Sequence, residues 1–138
     1  MAMDVEVVSF RVSEMITLIE DNTRHIATLT RQKNKNSERV SAQLDFLRST
    51  KRYLSEEQIE AYVGFAVVSN FGSGKLREIL IQIHKRKDLE NVKRQLLNSQ
   101  TDFGLVLGDL LEIARYQREA IQCLEDIISS GESVVSLL

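Results

Sequence analysis

The sequence predicts an all-α fold: an up-and-down bundle of four to five helices that ends in a long C-terminal helix. The 138-residue chain has no proline and only six glycines. Since proline ends helices and is common in loops, this composition favours long helices with short connections. Apolar residues recur at the three- and four-residue spacing of an amphipathic helix. The alternating β-branched and aromatic runs that are typical of sheets are missing.

Length and composition indicate one soluble domain over residues 1–138, with about 132–138 as a frayed tail. The net charge of −2 argues against a nucleic-acid-binding protein. The longest strongly apolar run, 62–68, is too short to cross a bilayer. No secretory signal is apparent, and a single cysteine cannot form an internal disulfide. We therefore expect a cytoplasmic protein, with a peripheral membrane location as the alternative.

The first helix is predicted near 4–33, where Val5, Val12, Ile19 and Ile26 form one apolar row. Asn34 to Ser37 is the predicted break, because Asn and Ser side chains compete for backbone hydrogen bonds. Neither glycine nor proline enforces that break, so one continuous helix is the alternative. The second helix is expected near 38–53.

Ser55 and Gln58 predict a capping box that opens a third helix near 56–70. That helix carries Ile59 and Val63 and is apolar around much of its circumference, so deep burial is expected. Phe71 to Gly74 is the predicted turn that ends it. A fourth helix near 75–87 follows, with Leu76, Ile79, Leu80 and Ile83 on its apolar stripe.

The last helix is predicted near 88–130, with Gly131 at its end. Two rows repeat every seven residues, one including Leu110, Gln117 and Leu124 and the other Val106, Ile113 and Ala120. A third row beside them favours a bundle helix with several neighbours over a coiled-coil seam. The predicted core consists of Val12, Ile19, Ile26, Leu47, Ile59, Val63, Leu89, Leu96, Phe103, Val106, Leu110, Ile113 and Leu124.

No arrangement of residues nominates an active site. The segment 70–75 superficially suggests a phosphate-binding loop but lacks the required spacing and preceding strand. His25 and His84 have no metal-ligand spacing, and no base is placed beside Cys123. We expect no catalysis, no cofactor, no metal and no small-molecule substrate.

Two basic clusters are the charged features that suggest a partner. The first contains Lys33, Lys35 and Arg39, and the second contains Lys85, Arg86, Lys87, Lys93 and Arg94, with Lys75 and Arg77 one helix earlier. Exposed basic groups attract anionic lipid or acidic protein surfaces. The alternative is that both clusters are solvated helix ends, where cations suit the helix dipole.

The order of these elements resembles the N-terminal helical bundles of the mixed-lineage-kinase-like pseudokinases and the related HeLo and plant RPW8-type domains. The resemblance covers about residues 10–118. It rests on Arg39-Val40 with Leu44 and Leu47, on Ser55-Glu56-Glu57, on Asn70-Phe71, and on Phe103 before Leu107, Leu110 and Leu111. It implies self-association, partner docking or binding of anionic lipid in cell-death or defence signalling. The last helix departs from the family by being unbroken.

Amphipathic helices without a catalytic arrangement predict a non-enzymatic interaction or adaptor domain, acting on a protein partner or on itself. Two alternatives remain open at this stage. One is a peripheral membrane-binding module that contacts anionic lipid through the basic clusters. The other is a dimeric coiled-coil scaffold.

Overall fold

Three long helices make up the part of the chain that the structure describes. This computed structural model describes residues 5–86, 92, 94 and 103–138, and gives the backbone alone for 5–9, 86 and 103. Helix α1 is Val5–Ser49, α2 is Glu56–Arg86 and α3 is Phe103–Leu137, with no strand among the described residues. The all-α class and the long C-terminal helix are confirmed. The predicted count of four to five helices is not supported, because two predicted breaks are absent.

The first absent break is the one predicted at Asn34 to Ser37, where α1 continues without interruption. Asn36 is 3% exposed, and its side chain forms a hydrogen bond to the last helix rather than to its own backbone. Its Nδ2 donates to the carbonyl of Ile128 at 3.3 Å, and its Oδ1 accepts from Gln32 Nε2 at 3.2 Å. Because the amide is engaged across the bundle, it does not compete for the hydrogen bonds of α1.

The second absent break is the turn predicted at Phe71 to Gly74, which lies inside α2 with no positive φ at a glycine. Gly72 is required for close approach instead. A Cβ atom built on Gly72 would lie 2.9 Å from Cδ1 of Ile127, inside van der Waals contact. The glycine therefore lets α2 and α3 approach each other, and the backbone remains helical.

The link between α1 and α2 is closed by two capping arrangements. Lys51 adopts φ 54°, while Arg52 N donates to the Leu47 carbonyl at 3.0 Å and Lys51 N to the Arg48 carbonyl at 3.2 Å. This pair of bonds is a Schellman motif, which ends α1 at Ser49. The predicted capping box is confirmed, since Gln58 N donates to Ser55 Oγ at 3.2 Å and Ser55 N to Gln58 Oε1 at 2.9 Å.

The predicted end of the last helix at Gly131 and the frayed tail are wrong. Helix α3 continues to Leu137, and Val134 is fully buried. A Cβ atom on Gly131 would lie 3.2 Å from Cε2 of Phe65, so this glycine also serves close packing. Gln58 Nε2 donates to the Leu137 carbonyl at 2.7 Å and ties the end of α3 to the start of α2. The segment 88–102 of the predicted helix lies outside the described residues.

The topology is up-down-up with α3 in the central position. Asn22 pairs with Gln117 and Asn36 with Ile128, so α1 and α3 run in the same direction. Gln58 pairs with Leu137, whereas Gly72 faces Ile127, so α2 runs antiparallel to α3. Helix α3 packs against both neighbours, and α1 and α2 make few direct contacts in the described part of the chain.

The core lies along α3. Val12, Ile19, Val106, Leu110, Ile113 and Leu124 are buried there, Ile26 and Leu47 are half-buried, and Leu89, Leu96 and the side chain of Phe103 lie outside the described residues. Ile59 and Val63 do not belong to the core, because 47% and 52% of their surfaces are exposed. The described residues cover only one side of α2, so an apolar circumference does not bury the whole helix.

Two polar positions that interrupt the apolar rows meet inside the bundle. Gln117 is 1% exposed, and its Nε2 donates to the Ile19 carbonyl and to Thr23 Oγ1, each at 3.1 Å. Its Oε1 accepts from Asn22 Nδ2 at 3.2 Å. Because both ends of the amide are paired, its burial carries little penalty and favours one register of α1 on α3.

Candidate docking groove

A groove of about 530 Å³ lies between α1 and one side of α2. It is lined by Lys33, Ser73, Leu76, Arg77, Leu80, Ile81, His84 and Lys85. The continuity of α2 through Gly74 aligns its residues 73–85 on one side of a single helix. The continuity of α1 through Ser37 places Lys33 opposite them. The groove therefore exists because neither predicted break is present.

The apolar residues of the groove differ in how far they are exposed to solvent. Leu76 is 6% exposed and belongs to the core. Leu80 and Ile81 are 39% and 45% exposed, although both are large aliphatic side chains. Water therefore reaches apolar surface that an amphipathic ligand would cover.

The charged side chains that the structure places around the groove are basic. Lys33, Arg77 and Lys85 line it with His84 beside them, and none of the described lining residues is an aspartate or a glutamate. Lys33 comes from the first predicted basic cluster and Lys85 from the second. Lys33 and Lys85 are 52 positions apart in the sequence. The fold brings one residue from each cluster to the same surface.

The other predicted basic residues do not line this groove. Lys35, Arg39 and Arg94 are exposed, and Lys35 lines a separate shallow depression along α1 that also contains Glu38. The side chain of Arg86 is not described, and Lys87 and Lys93 lie outside the described residues. The predicted clusters are therefore only partly brought together.

Leu80 and Ile81 are the groove residues whose place on an exposed surface the sequence did not reveal. Leu80 was expected on the buried stripe of a short helix, and it is instead more than a third exposed. The available signal was the spacing of Ser73, Arg77 and His84, which places a polar and basic line beside the apolar one. Ser73, Arg77 and His84 fall on one side only if this part of the chain forms a single helix.

Cys123 lies in a second depression between α2 and α3, lined also by Phe71, Lys75 and Asp126. Burial raises the pKa of its thiol, and the carboxylates of Asp126 and Glu119 act in the same direction, while Lys75 opposes them. A raised pKa keeps the sulfur as an uncharged thiol at neutral pH, which makes it a weak nucleophile. This cysteine is therefore a packing residue.

The described residues contain no group of three or more His, Cys, Asp or Glu side chains placed to hold a metal ion. His25 and His84 are exposed on different helices. In the same part of the chain, no helix has both the length and the apolar character needed to cross a bilayer. The groove between α1 and α2 is therefore the surface whose chemistry most clearly suggests a ligand.

Comparison of the chain with protein-family models, curated proteins and solved structures found no match.

Proposed function

We propose that this protein is a non-enzymatic interaction module whose groove between α1 and α2 binds an acidic, amphipathic helix of a partner protein. The observation that carries the proposal is the coincidence of exposed Leu80 and Ile81 with Lys33, Arg77 and Lys85, without an acidic residue among the described lining residues. Amphipathic helices commonly bind grooves through apolar side chains on one face. Complementary charge then selects the partner and speeds association.

The dimensions of the groove suit a short helix. Its lining on α2 runs from Ser73 to Lys85, which corresponds to about 18 Å along a helix axis. A partner helix of three to four turns matches that length. Its apolar face would cover Leu80 and Ile81, and acidic residues on its flanks would meet Lys33 on one side and Arg77 and Lys85 on the other.

An anionic membrane surface is the second candidate, because Lys35, Arg39 and Arg94 are also exposed. The groove favours a protein ligand, since its apolar residues lie in a concavity that a helix can fill. The resemblance to helical bundles of cell-death and defence proteins suggests a signalling context, and only the sequence pattern supports that context.

The seven-residue rows that suggested a dimeric coiled-coil scaffold pack inside the bundle. Leu110, Ile113, Gln117 and Leu124, which belong to the seven-residue rows, are buried inside the chain. A dimer built on those rows would have to open the bundle. We therefore favour partner binding at the groove.

The test uses a fluorescent 16-residue peptide with leucines on one helical face and glutamates on its flanks, together with a counterpart that carries lysines instead. We expect the acidic peptide to bind and the basic one not to bind. Replacement of Lys33, Arg77 and Lys85 by glutamate should weaken binding at least tenfold. The charge-matched control replaces exposed Arg11, Arg52 and Arg118 by glutamate and should have little effect, as measured by fluorescence anisotropy.

Co-sedimentation with phosphatidylserine and phosphatidylcholine vesicles forms the second arm. Binding to the anionic vesicles that is lost in the groove variant, without peptide binding, would replace the protein partner with a membrane. Equal peptide affinity for the wild type and the groove variant would contradict the proposed site.

A further inference from the structure

His84 lies in the lining of the groove between α1 and α2, at an exposed position of α2. Histidine is the residue type whose charge changes between about pH 5 and about pH 8. Lys33, Arg77 and Lys85 share the lining and belong to residue types that stay charged over this range. Among the described lining residues, His84 is therefore the one whose charge depends on pH near neutrality.

The charged residues around His84 in the groove come from two helices. Lys33 lines the groove from α1, and Arg77 and Lys85 line it from α2, the helix that carries His84. Helix α3 contributes no residue to the lining that the structure describes. A proton on His84 therefore adds a positive charge to a surface that already holds three basic side chains.

Three carboxylates on neighbouring parts of the helices line other depressions. Glu78 of α2 and Glu119 of α3 line one of them, and Glu38 of α1 lines another. Lys87 and Asp88 follow His84 in the sequence and lie outside the described residues. Within the described lining, no acidic side chain therefore neutralises the charge that protonation creates.

We propose that protonation of His84 strengthens the binding of the acidic helix, so that the groove is a pH-sensitive site. This inference rests on the proposed function, because it concerns the same ligand in the same groove. In the free protein, the added charge is repelled by the basic residues around it. In the complex, it is attracted by the carboxylates of the ligand. The protonated groove therefore gains more from the ligand, and the affinity rises as the pH falls.

The exposure of His84 limits the size of this effect, because water screens the charges. Pairs of exposed charges contribute little, and one added pair corresponds to an increase in affinity of about two- to fivefold. Salt reduces the increase further. The effect therefore modulates binding and does not switch it on from zero.

The test measures the affinity of the acidic peptide by fluorescence anisotropy at about pH 8 and about pH 6 in low salt. The peptide carries an acetylated and an amidated end, and its glutamates stay ionised over this range, so its own charge is nearly constant. We expect the affinity of the wild type to rise about two- to fivefold at the lower pH.

Two substitutions at His84 separate its charge from its shape. His84→Gln should bind the peptide equally at both pH values, because glutamine does not titrate. His84→Lys should bind at the higher pH at least as tightly as the wild type does at the lower one. His25→Gln is the matched control, since His25 is exposed on α1 outside the groove lining. That control should keep the pH dependence of the wild type.

The same coupling predicts that the protein takes up protons when it binds the peptide. The reciprocity of linked binding equilibria requires this, because protons favour the peptide and the peptide must favour protons. Titration calorimetry near neutral pH in phosphate and in Tris, two buffers with different ionisation enthalpies, measures the uptake. The wild type should take up a fraction of a proton per peptide, and His84→Gln should take up less.

An affinity that is equal at the two pH values would overturn the inference and leave the proposed function standing. A pH dependence that survives in His84→Gln, or that is lost in His25→Gln, would also overturn it, because the charge would then act from elsewhere. If the acidic peptide binds at neither pH, both the inference and the proposed function are wrong.

Discussion

At the scale of single residues, glycines set how closely the helices approach, because they have no side chain. Gly72 faces buried Ile127, and Gly131 faces Phe65 and Asn36. Both glycines are helical and neither has a positive φ. A glycine in the middle of a helix costs about 1 kcal/mol relative to alanine, so the close packing at these two positions offsets that cost.

The substitution Gly72→Ala should therefore destabilise the protein. The added methyl group would lie 2.9 Å from Cδ1 and 3.1 Å from Cγ1 of Ile127, so the side chain of Ile127, which is 1% exposed, would have to shift. Overpacking of this kind costs about 1–3 kcal/mol. Gly74→Ala is the matched control, because its Cβ would meet nothing within 4 Å. That control should raise the free energy of unfolding by up to about 1 kcal/mol.

Urea unfolding of the two alanine variants checks this expectation. The Gly72→Ala variant should be the less stable of the two by at least about 1 kcal/mol. Equal stabilities would show that α2 and α3 do not approach as closely as the distance to Ile127 requires.

Buried amides act at the same scale. Asn36 and Gln117 are the buried polar residues of the described core, and each hydrogen-bonds to a backbone carbonyl of the other helix in the α1–α3 pair. A one-turn slip between these helices would separate each amide from its carbonyl. The penalty for an unpaired buried amide, about 1–3 kcal/mol, then disfavours the slipped arrangement.

At the scale of the elements, the ends of the helices are fixed by local hydrogen bonds. Helix α1 ends in a Schellman motif at Lys51, a position where glycine is usual because the left-handed conformation crowds a Cβ atom. Helix α2 begins with the Ser55–Gln58 capping box. The link between the two helices is short, because the backbone groups at the end of α1 and at the start of α2 form their hydrogen bonds within it.

The substitution Lys51→Gly should stabilise the protein, by about 1 kcal/mol, because it removes the crowding of a Cβ atom at positive φ. Lys35→Gly is the control: Lys35 is exposed within α1, so glycine there should destabilise by about 1 kcal/mol. In thermal unfolding, Lys51→Gly should raise the Tm relative to the wild type and Lys35→Gly should lower it. A loss of stability in both would mean that Lys51 does not hold the left-handed conformation.

At the scale of the whole molecule, α3 organises the bundle. It lies between α1 and α2 and packs on both, and it contributes Leu110, Ile113, Leu124 and Ile127 as side chains with at most 1% exposure. Among the described residues, the two flanking helices each leave one side uncovered. The groove at Lys33 and Lys85 lies where these two sides meet.

The substitution Leu110→Ala should lower the free energy of unfolding by about 2–5 kcal/mol, since it opens a cavity beside both neighbouring helices. Leu110 is 0% exposed, whereas the next residue, Leu111, is 52% exposed. Leu111→Ala should therefore cost less than about 1 kcal/mol. Denaturant unfolding of the two variants makes the comparison, and similar losses would contradict the central position of Leu110.

Much of the secondary structure follows from local sequence. The period of the apolar residues predicted helices and the burial of rows such as that of Leu110, and the spacing of Ser55 and Gln58 predicted the start of α2. These features involve neighbours within a few positions, so the sequence determines them without knowledge of the fold. The groove could be predicted only in part, since Lys33, Arg77 and Lys85 were named as basic residues but Leu80 and Ile81 were not expected on an exposed surface.

Tertiary structure decided the rest. Whether Asn36 breaks α1 depends on the Ile128 carbonyl, 92 positions away, and whether Gly72 forms a turn depends on Ile127. The side of α2 that is buried depends on where α3 lies, which is why Ile59 and Val63 are exposed. The sequence by itself determined that this protein is helical and where one cap lies. Contacts between distant residues decided which helices are continuous and which faces are buried, because an apolar or amide side chain is satisfied equally by any neighbour that the fold supplies.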